Sequence, residues 1–354
     1  MEELLTQLAA SPETTKLVLM PLSRVLVESK CHVGRFSIFP PGEFDFDQFR
    51  PVSNKQLEIG DADFAILDGQ ELREVKTSLT GFSLEVLNHN PVVAFTAPLN
   101  WDEFLGGNHE YDTDLLKRLS GIAERAFDFI RFNCCRFDMP DTLPGIVGTW
   151  QDSGAFLGAM IYTLPDHESY LIAGEGIDCS IITKGIGLDL DCQMTDDLPQ
   201  PSDGEIGAFA VHALMLFSDV MMSNNDTIKF VRAMILLEFL ANPDEFKSWK
   251  KLKGDIACHC SADRAEYLRH QERFRELTHI LNSEGKEAGL RTLLVHHGQF
   301  LNDIIPDQSE RRSLFRELNH YCSCVLQDML DNSTMSWKDF EDLRVQKKAA
   351  LGVA

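Results

Sequence analysis

The chain has 354 residues, 44% of them hydrophobic, and its 33 Lys and Arg against 55 Asp and Glu give a formal net charge of -22. That length and apolar content allow two or three domains with a sizeable core and exclude disorder as the general state. The charge excludes broad electrostatic binding to DNA, which needs many Lys and Arg on phosphates, but leaves room for a small local basic site or a basic protein partner.

Residues 1–200 read as an α+β domain. Short β-prone runs stand at Lys16–Leu19, Phe64–Leu67, Ser83–Leu87 and Val92–Phe95, with turn signals at Pro40-Pro41-Gly42 and from Asn88 to Pro91. Leu115, Leu116, Leu119, Ile122, Ala126, Phe127 and Ile130 return at helical spacing and predict an amphipathic helix over Asp114–Phe132. Strands are expected again at Gly145–Trp150, Phe156–Thr163, Ser169–Ala173 and Cys179–Thr183. The polar, acidic, proline-bearing stretch from Met194 to Glu205 reads as a linker.

Residues 206–335 read as an all-α bundle of five or six antiparallel helices, and 336–354 as a C-terminal tail. Gly207 to Met222 is strongly apolar, and Asp226 is a candidate cap for a helix over Thr227–Ala241, stopped by Asn242-Pro243. A short helix follows from Pro243 to Lys253, ended near Gly254, and a polar one spans Ala262–Asn282. Asp307 with Glu310 resembles a capping box for a last helix to about Leu330.

Nine cysteines, scattered and odd in number, predict free thiols in a reducing cytoplasm. No secretory h-region opens the chain, and no apolar run approaches the ~20 residues of a membrane span. Cys258-His259-Cys260 with His270 has the wrong spacing for the common zinc sites and reads as a loop before a helix. Cys322 and Cys324 face different directions on one helix and read as buried thiols. Gly106-Gly107-Asn108 lacks the lysine of a phosphate loop, and Gly174-Glu175-Gly176 lacks the dinucleotide fingerprint. The acids Asp189, Asp191, Asp196 and Asp197 read as solvated, and Trp101, Phe104 and Tyr111 as core packing. No cofactor or metal is expected.

The stretch that carries chemistry is Arg291-Thr292-Leu293-Leu294-Val295-His296-His297-Gly298, in an otherwise apolar run from Ser283 to Leu301 read as helical. It sets a permanent cation near an imidazole that exchanges a proton around neutral pH, the two groups that a phosphodiester under attack requires. Arg264–His270 and Arg273–His279 fit the same loose pattern of Arg, four to six residues and then His, but on a polar helix whose charges form a solvated face. Positions five apart lie ~140° apart around a straight helix, so Arg291 and His296 converge only by bending, by the reach of Arg, or through a second subunit. The alternative is an Arg tied to a neighbouring acid and a satisfied core histidine.

In its late position, one helix before the end, this string resembles the motif of the HEPN domains, closest to the Apea-like group. There Arg is followed by a polar residue, a few mostly apolar residues, His and often Gly. Phe230-Val231-Arg232-Ala233 in the Asp226–Leu240 helix, and the closing 307–330 helix, resemble the same family. Thr292 stands where Asn or Asp is frequent, and a second histidine, His297, follows the first. The resemblance implies metal-independent cleavage of RNA to a 2′,3′-cyclic phosphate. His296 would act as general base or acid, Arg291 and Thr292 would hold the phosphate, and a homodimer through the helical domain would share one cleft. It also implies a toxin or phage-defence setting, with residues 1–200 sensing a trigger or protein partner. A different class of function, a non-catalytic helical module for protein interaction or dimerisation, fits the acidic charge as well.

Overall fold

Apolar runs bounded by turns build a seven-stranded mixed sheet in the first half of the chain, and apolar stripes at helical spacing build the second half, an α+β architecture. The computed structural model describes residues 2–55, 66–67, 70–71, 81–150, 156–175, 187–190, 204–245, 247–281, 285 and 288–353. The chain divides into two compact units. The first comprises residues 1–127 and 141–198, and the second residues 128–140 and 199–354.

The strands of the main sheet of the first unit are β1 (Thr15–Pro21), β2 (Cys31–Val33), β3 (Phe36–Phe39), β4 (Val52–Asn54), β5 (Val92–Pro98), β6 (Phe156–Thr163) and β7 (Glu168–Glu175), in the order β2-β3-β5-β1-β6-β7-β4. All neighbours are antiparallel except β7 and β4. In the centre of the sheet Val18 lies opposite both Phe95 and Ile161. Leu17 to Pro21 are buried on both faces, as a continuous apolar run requires. The helices here are α1 (Glu2–Ala10), α2 (Leu84–His89), α3 (Trp101–Gly106) and α4 (His109–Cys134), whose last turns from Asp128 belong to the second unit. Gly174 brings α4 onto β7: a Cβ there would stand 2.6 Å from Thr113 Oγ1. Lys55 and Asp112, both buried, form an ion pair, with the ammonium 4.5 Å above the Phe104 ring.

Two readings of this half need correction. Ser83–Leu87 is not a strand: Ser83 accepts a hydrogen bond from Val86 N and caps α2, so a local cap outweighs β propensity. Gly145–Trp150 is a loop, turned by Gly148 at φ +97° and fastened to α4 by Ser120 Oγ donating to the Val147 carbonyl at 2.6 Å. Of Phe64–Leu67 only Ile66–Leu67 is described, paired with Gln70–Glu71. Cys179–Thr183 and most of the 194–205 linker lie outside the described residues.

The second unit holds α5 (Glu205–Met221), α6 (Asp226–Ala241), α7 (Trp249–Cys260), α8 (Arg264–Thr278), α9 (Leu290–Val295), α10 (Leu301–Ile304), α11 (Gln308–Asp331) and α12 (Trp337–Ala350). Its core is built from residues such as Phe217, Phe230, Phe274, Leu318 and Met329. Asp307 accepts from Glu310 N at 2.9 Å and starts α11, as expected. The cap of α6 is Asn225, not Asp226, which instead pairs with Arg311 at 2.9 Å. The helix read from Pro243 to Lys253 begins at Trp249 and runs through Cys258-His259-Cys260. Gly254 does not end it: the residue is buried in mid-helix, where a Cβ would lie 2.9 Å from the Tyr267 hydroxyl of α8.

Residues 336–354 are not a tail. Ser336 caps α12, and Trp337, Phe340 and Arg344 are buried. The Arg344 guanidinium stacks on Trp337 and Phe340 and donates to the Leu240 and Ala241 carbonyls at 2.7 Å, closing the C-terminal end of α6. Its Nε also donates to His259 Nε2 at 3.0 Å, while His259 Nδ1 bonds Asp328 at 2.5 Å. The arginine can donate only to a ring nitrogen with a free lone pair, so His259 is neutral with its proton on Nδ1. Burial, against the pull of Asp328 and with the help of Arg344, lowers its pKa to about 4.

Candidate functional site

The motif sits on a much shorter helix than its apolar run suggests. Only Leu290–Val295 are helical, and His296 is the C-cap. Two features fix this. Gly289 passes so close to the end of α8 that a Cβ would meet the Thr278 carbonyl at 2.5 Å, and Leu290 and Leu294 are buried below. At the far end the His296 and His297 amides both donate to the Thr292 carbonyl, and Gly298, at φ +66°, turns the chain away. The Leu301 amide then donates to Thr227 Oγ1 at 2.8 Å, which ties the turn to the start of α6.

Arg291 projects toward α6, where its guanidinium pairs with Glu238 at 3.1 Å. The same carboxylate oxygen, Glu238 Oε1, also accepts a hydrogen bond from Trp249 Nε1 at 2.6 Å. The arginine side chain stays 28% exposed, so the carboxylate positions the cation without sealing it. Glu238 also opens on a cleft of about 310 Å³, lined further by Asn242, Asp244, Glu245 and Lys247. Thr292 turns its hydroxyl the other way and donates to the Thr278 carbonyl at 2.9 Å, which leaves no proton for a phosphate.

His296 and His297 are exposed, as are Val295 and Phe300 on either side, at 45% and 61%. This excludes a satisfied core histidine at 296, while for Arg291 the acid partner is present. Geometry thus keeps a fixed cation at the start of α9 and an open imidazole at its end, ~7.5 Å apart along the axis and on different sides. Arg273, which fits the same loose pattern with His279, is consumed by Glu317 and Glu276. The Cys258-His259-Cys260 group is equally committed: Cys258 is buried, and both ring nitrogens of His259 are occupied. Among the described residues no set of three His, Cys, Asp or Glu is placed to hold a metal ion, and no helix is long and apolar enough to cross a membrane.

Three groups that matter here carry no local sequence signal: Glu238 as the partner of Arg291, Arg344 as a buried cap, and a thiol pair formed by Cys260 and Cys324. Each arises from contacts between helices distant in sequence. No family model matches the chain, and comparison with curated proteins and with solved structures likewise finds no match.

Proposed function

We propose that the helical unit is a metal-independent endoribonuclease of the HEPN type, working as a dimer in which Arg291 of one copy and His296 of the other address one phosphodiester. One observation carries the reading: an imidazole open to solvent and flanked by exposed Val295 and Phe300, at the end of a helix whose first turn holds an arginine in place through Glu238. His296 takes the proton from the ribose 2′-hydroxyl or gives one to the leaving 5′-oxygen. Arg291 meets charge developing on the phosphate oxygens with the donors that Glu238 does not use. His297 lies beside His296 as a second acid or base, and Thr292 serves as a structural tie. The product is a 2′,3′-cyclic phosphate, so DNA resists. An α+β unit that senses a trigger, a cytoplasmic setting and a role as toxin or phage-defence effector belong to the same proposal.

The test is RNA cleavage with EDTA present. Wild type cleaves, and His296→Ala and Arg291→Ala each lose at least about a hundredfold, the first as a general acid–base group and the second as a charge-stabilising one. An equimolar mixture of the two variants regains part of the activity through hybrid dimers. Equal cleavage by all proteins, or cleavage abolished by the chelator, overturns the reading.

A second reading, a module for protein interaction, is favoured by a different face. On α5 and α6, which pack together, Val211, Met215, Ile228 and Ile235 are each 42–50% exposed. Large apolar residues left exposed on two helices that pack together are a feature of contact surfaces. Loss of partner binding in Met215→Glu/Ile235→Glu, with no RNA cleavage by wild type, would select it.

A further inference from the structure

Two thiols meet where the last turn of α7 lies against α11. The Cys260 sulfur stands 3.9 Å from the Tyr321 carbonyl of α11, on the turn that leads to Cys324, and the two thiols influence each other; both are half-buried rather than sealed. The neighbouring Cys258 and Cys322 are buried. One turn before Cys324, the exposed His320 brings its ring nitrogens to 3.7 and 3.8 Å from the Cys324 sulfur. One turn after it, Asp328 holds the ring of His259, the residue next to Cys260. Two successive turns of α11 therefore fasten the end of α7, and the second fixes the position of the Cys260 thiol.

The two sulfurs differ in character. The neighbouring Cys260 thiol first, and then the His320 ring at 3.7 Å, draw the Cys324 thiol well below its ordinary value against the effects of burial and of Asp328, which favours its thiolate. Cys260 moves the opposite way, through Cys324 first and burial second, and keeps its proton. Among groups facing Cys324, His320 is the cation and Asp328 the anion, the latter neutralised by Lys347 at 2.7 Å. A low-pKa, accessible thiolate beside a protonated second thiol is the arrangement of a peroxide sensor with its resolving cysteine.

We propose that Cys324 and Cys260 form a reversible dithiol switch, in which a hydroperoxide oxidises Cys324 and Cys260 resolves the product as a disulfide that locks α7 to α11. The Cys324 sulfur attacks the peroxide, an S–O bond forms, the O–O bond breaks, and the leaving hydroxide takes a proton from His320 to depart as water. Cys260 then gives up its proton and its sulfur attacks that of Cys324. The S–S bond forms, the S–O bond breaks, and the second hydroxide leaves as water with that proton. Two thiols and one peroxide thus become one disulfide and two waters, and a dithiol reductant reverses the change. The proposal stands independently of the RNA reading.

The test uses the reduced full chain treated with equimolar hydrogen peroxide at neutral pH, alkylated, digested without reductant and analysed by mass spectrometry. A peptide joining Cys260 to Cys324, absent after dithiothreitol, is expected, with Cys258 and Cys322 unmodified. In Cys260→Ser, Cys324 should accumulate a sulfenic acid that dimedone traps, and Cys324→Ser should show neither product. His320→Gln keeps both thiols and should slow alkylation of Cys324 by iodoacetamide near pH 6 by roughly tenfold, moving its pH profile upward. This variant also keeps the test alive if a serine variant fails to fold. Oxidation spread evenly over all the cysteines, direct passage of Cys324 to sulfinic acid with Cys260 untouched, or an alkylation profile of Cys324 like that of a free thiol overturns the proposal.

Discussion

Mild acid should loosen the helical unit through a single imidazole. His259 has no exposed side-chain surface, stacks on Phe340 at 5.5 Å, accepts from Arg344 and donates to Asp328. Protonating Nε2 would set one N–H against another. In the unfolded chain the group titrates at its ordinary 6.5, and in the fold at about 4. A base with a depressed folded pKa binds more protons when unfolded, so its contribution is complete above 6.5 and is lost as pH falls toward 4. The gap corresponds to about 3 kcal/mol in full and roughly 2 kcal/mol by about pH 5. Asp328, although burial works against it, is held below the usual carboxylate range by His259 and Lys347, so it adds a loss only at still lower pH. The assay is hydrogen exchange of peptides covering α7 and α12 between about pH 7.5 and about pH 5, corrected for intrinsic rates, in wild type and in His259→Gln. Gln offers a donor and an acceptor but cannot titrate. The variant should start less stable and lose about 2 kcal/mol less than wild type over that range. Parallel pH dependence in the two proteins would refute the argument.

Three further outcomes follow from the packing. Arg344→Met should destabilise by about 3–5 kcal/mol in urea titrations, because it orphans two buried carbonyls and the His259 lone pair. A cost under about 1 kcal/mol would show that α12 is dispensable to the unit. Gly289→Ala drives a methyl into the Thr278 carbonyl and should cost about 1–3 kcal/mol, with faster exchange confined to α8 and α9; an unchanged melting temperature would contradict the close approach. Lys55→Met removes one half of a buried ion pair and should cost about 3–5 kcal/mol, part of it restored by adding Asp112→Leu; no restoration would mean that the lysine acts by packing alone.

What was legible in the sequence was decided by local chemistry. The β1, β5 and β6 runs could be read because strands buried on both faces are continuous apolar runs, and the α4 and α11 stripes because burial returns every 3.6 residues. Misreadings occurred where one atom outweighed the pattern: the Ser83 hydroxyl turned a β-prone run into α2, and the left-handed Gly148 broke a strand. Gly254 looks like a stop signal, yet it only makes way for Tyr267. The motif itself was visible, but its helix was overextended, since Gly298 and the close pass at Gly289 trim it to one and a half turns. The partners of the motif and of the thiols were not legible, because nothing near Arg291 signals Glu238, and nothing near Cys260 signals Cys324.

The first and last helices of the second unit are stitched together. The Ile206 and Gly207 amides donate to the Met335 and Ser333 carbonyls, and Glu205 accepts from the Trp337 amide at 2.7 Å. Because α12 also closes the end of α6, the unit cannot mature progressively as the chain leaves the ribosome. Its earlier helices must wait, with apolar stripes uncovered, until α12 emerges. Ribosome stalling or premature termination ahead of Trp337 would therefore release a chaperone client rather than a folded helical unit.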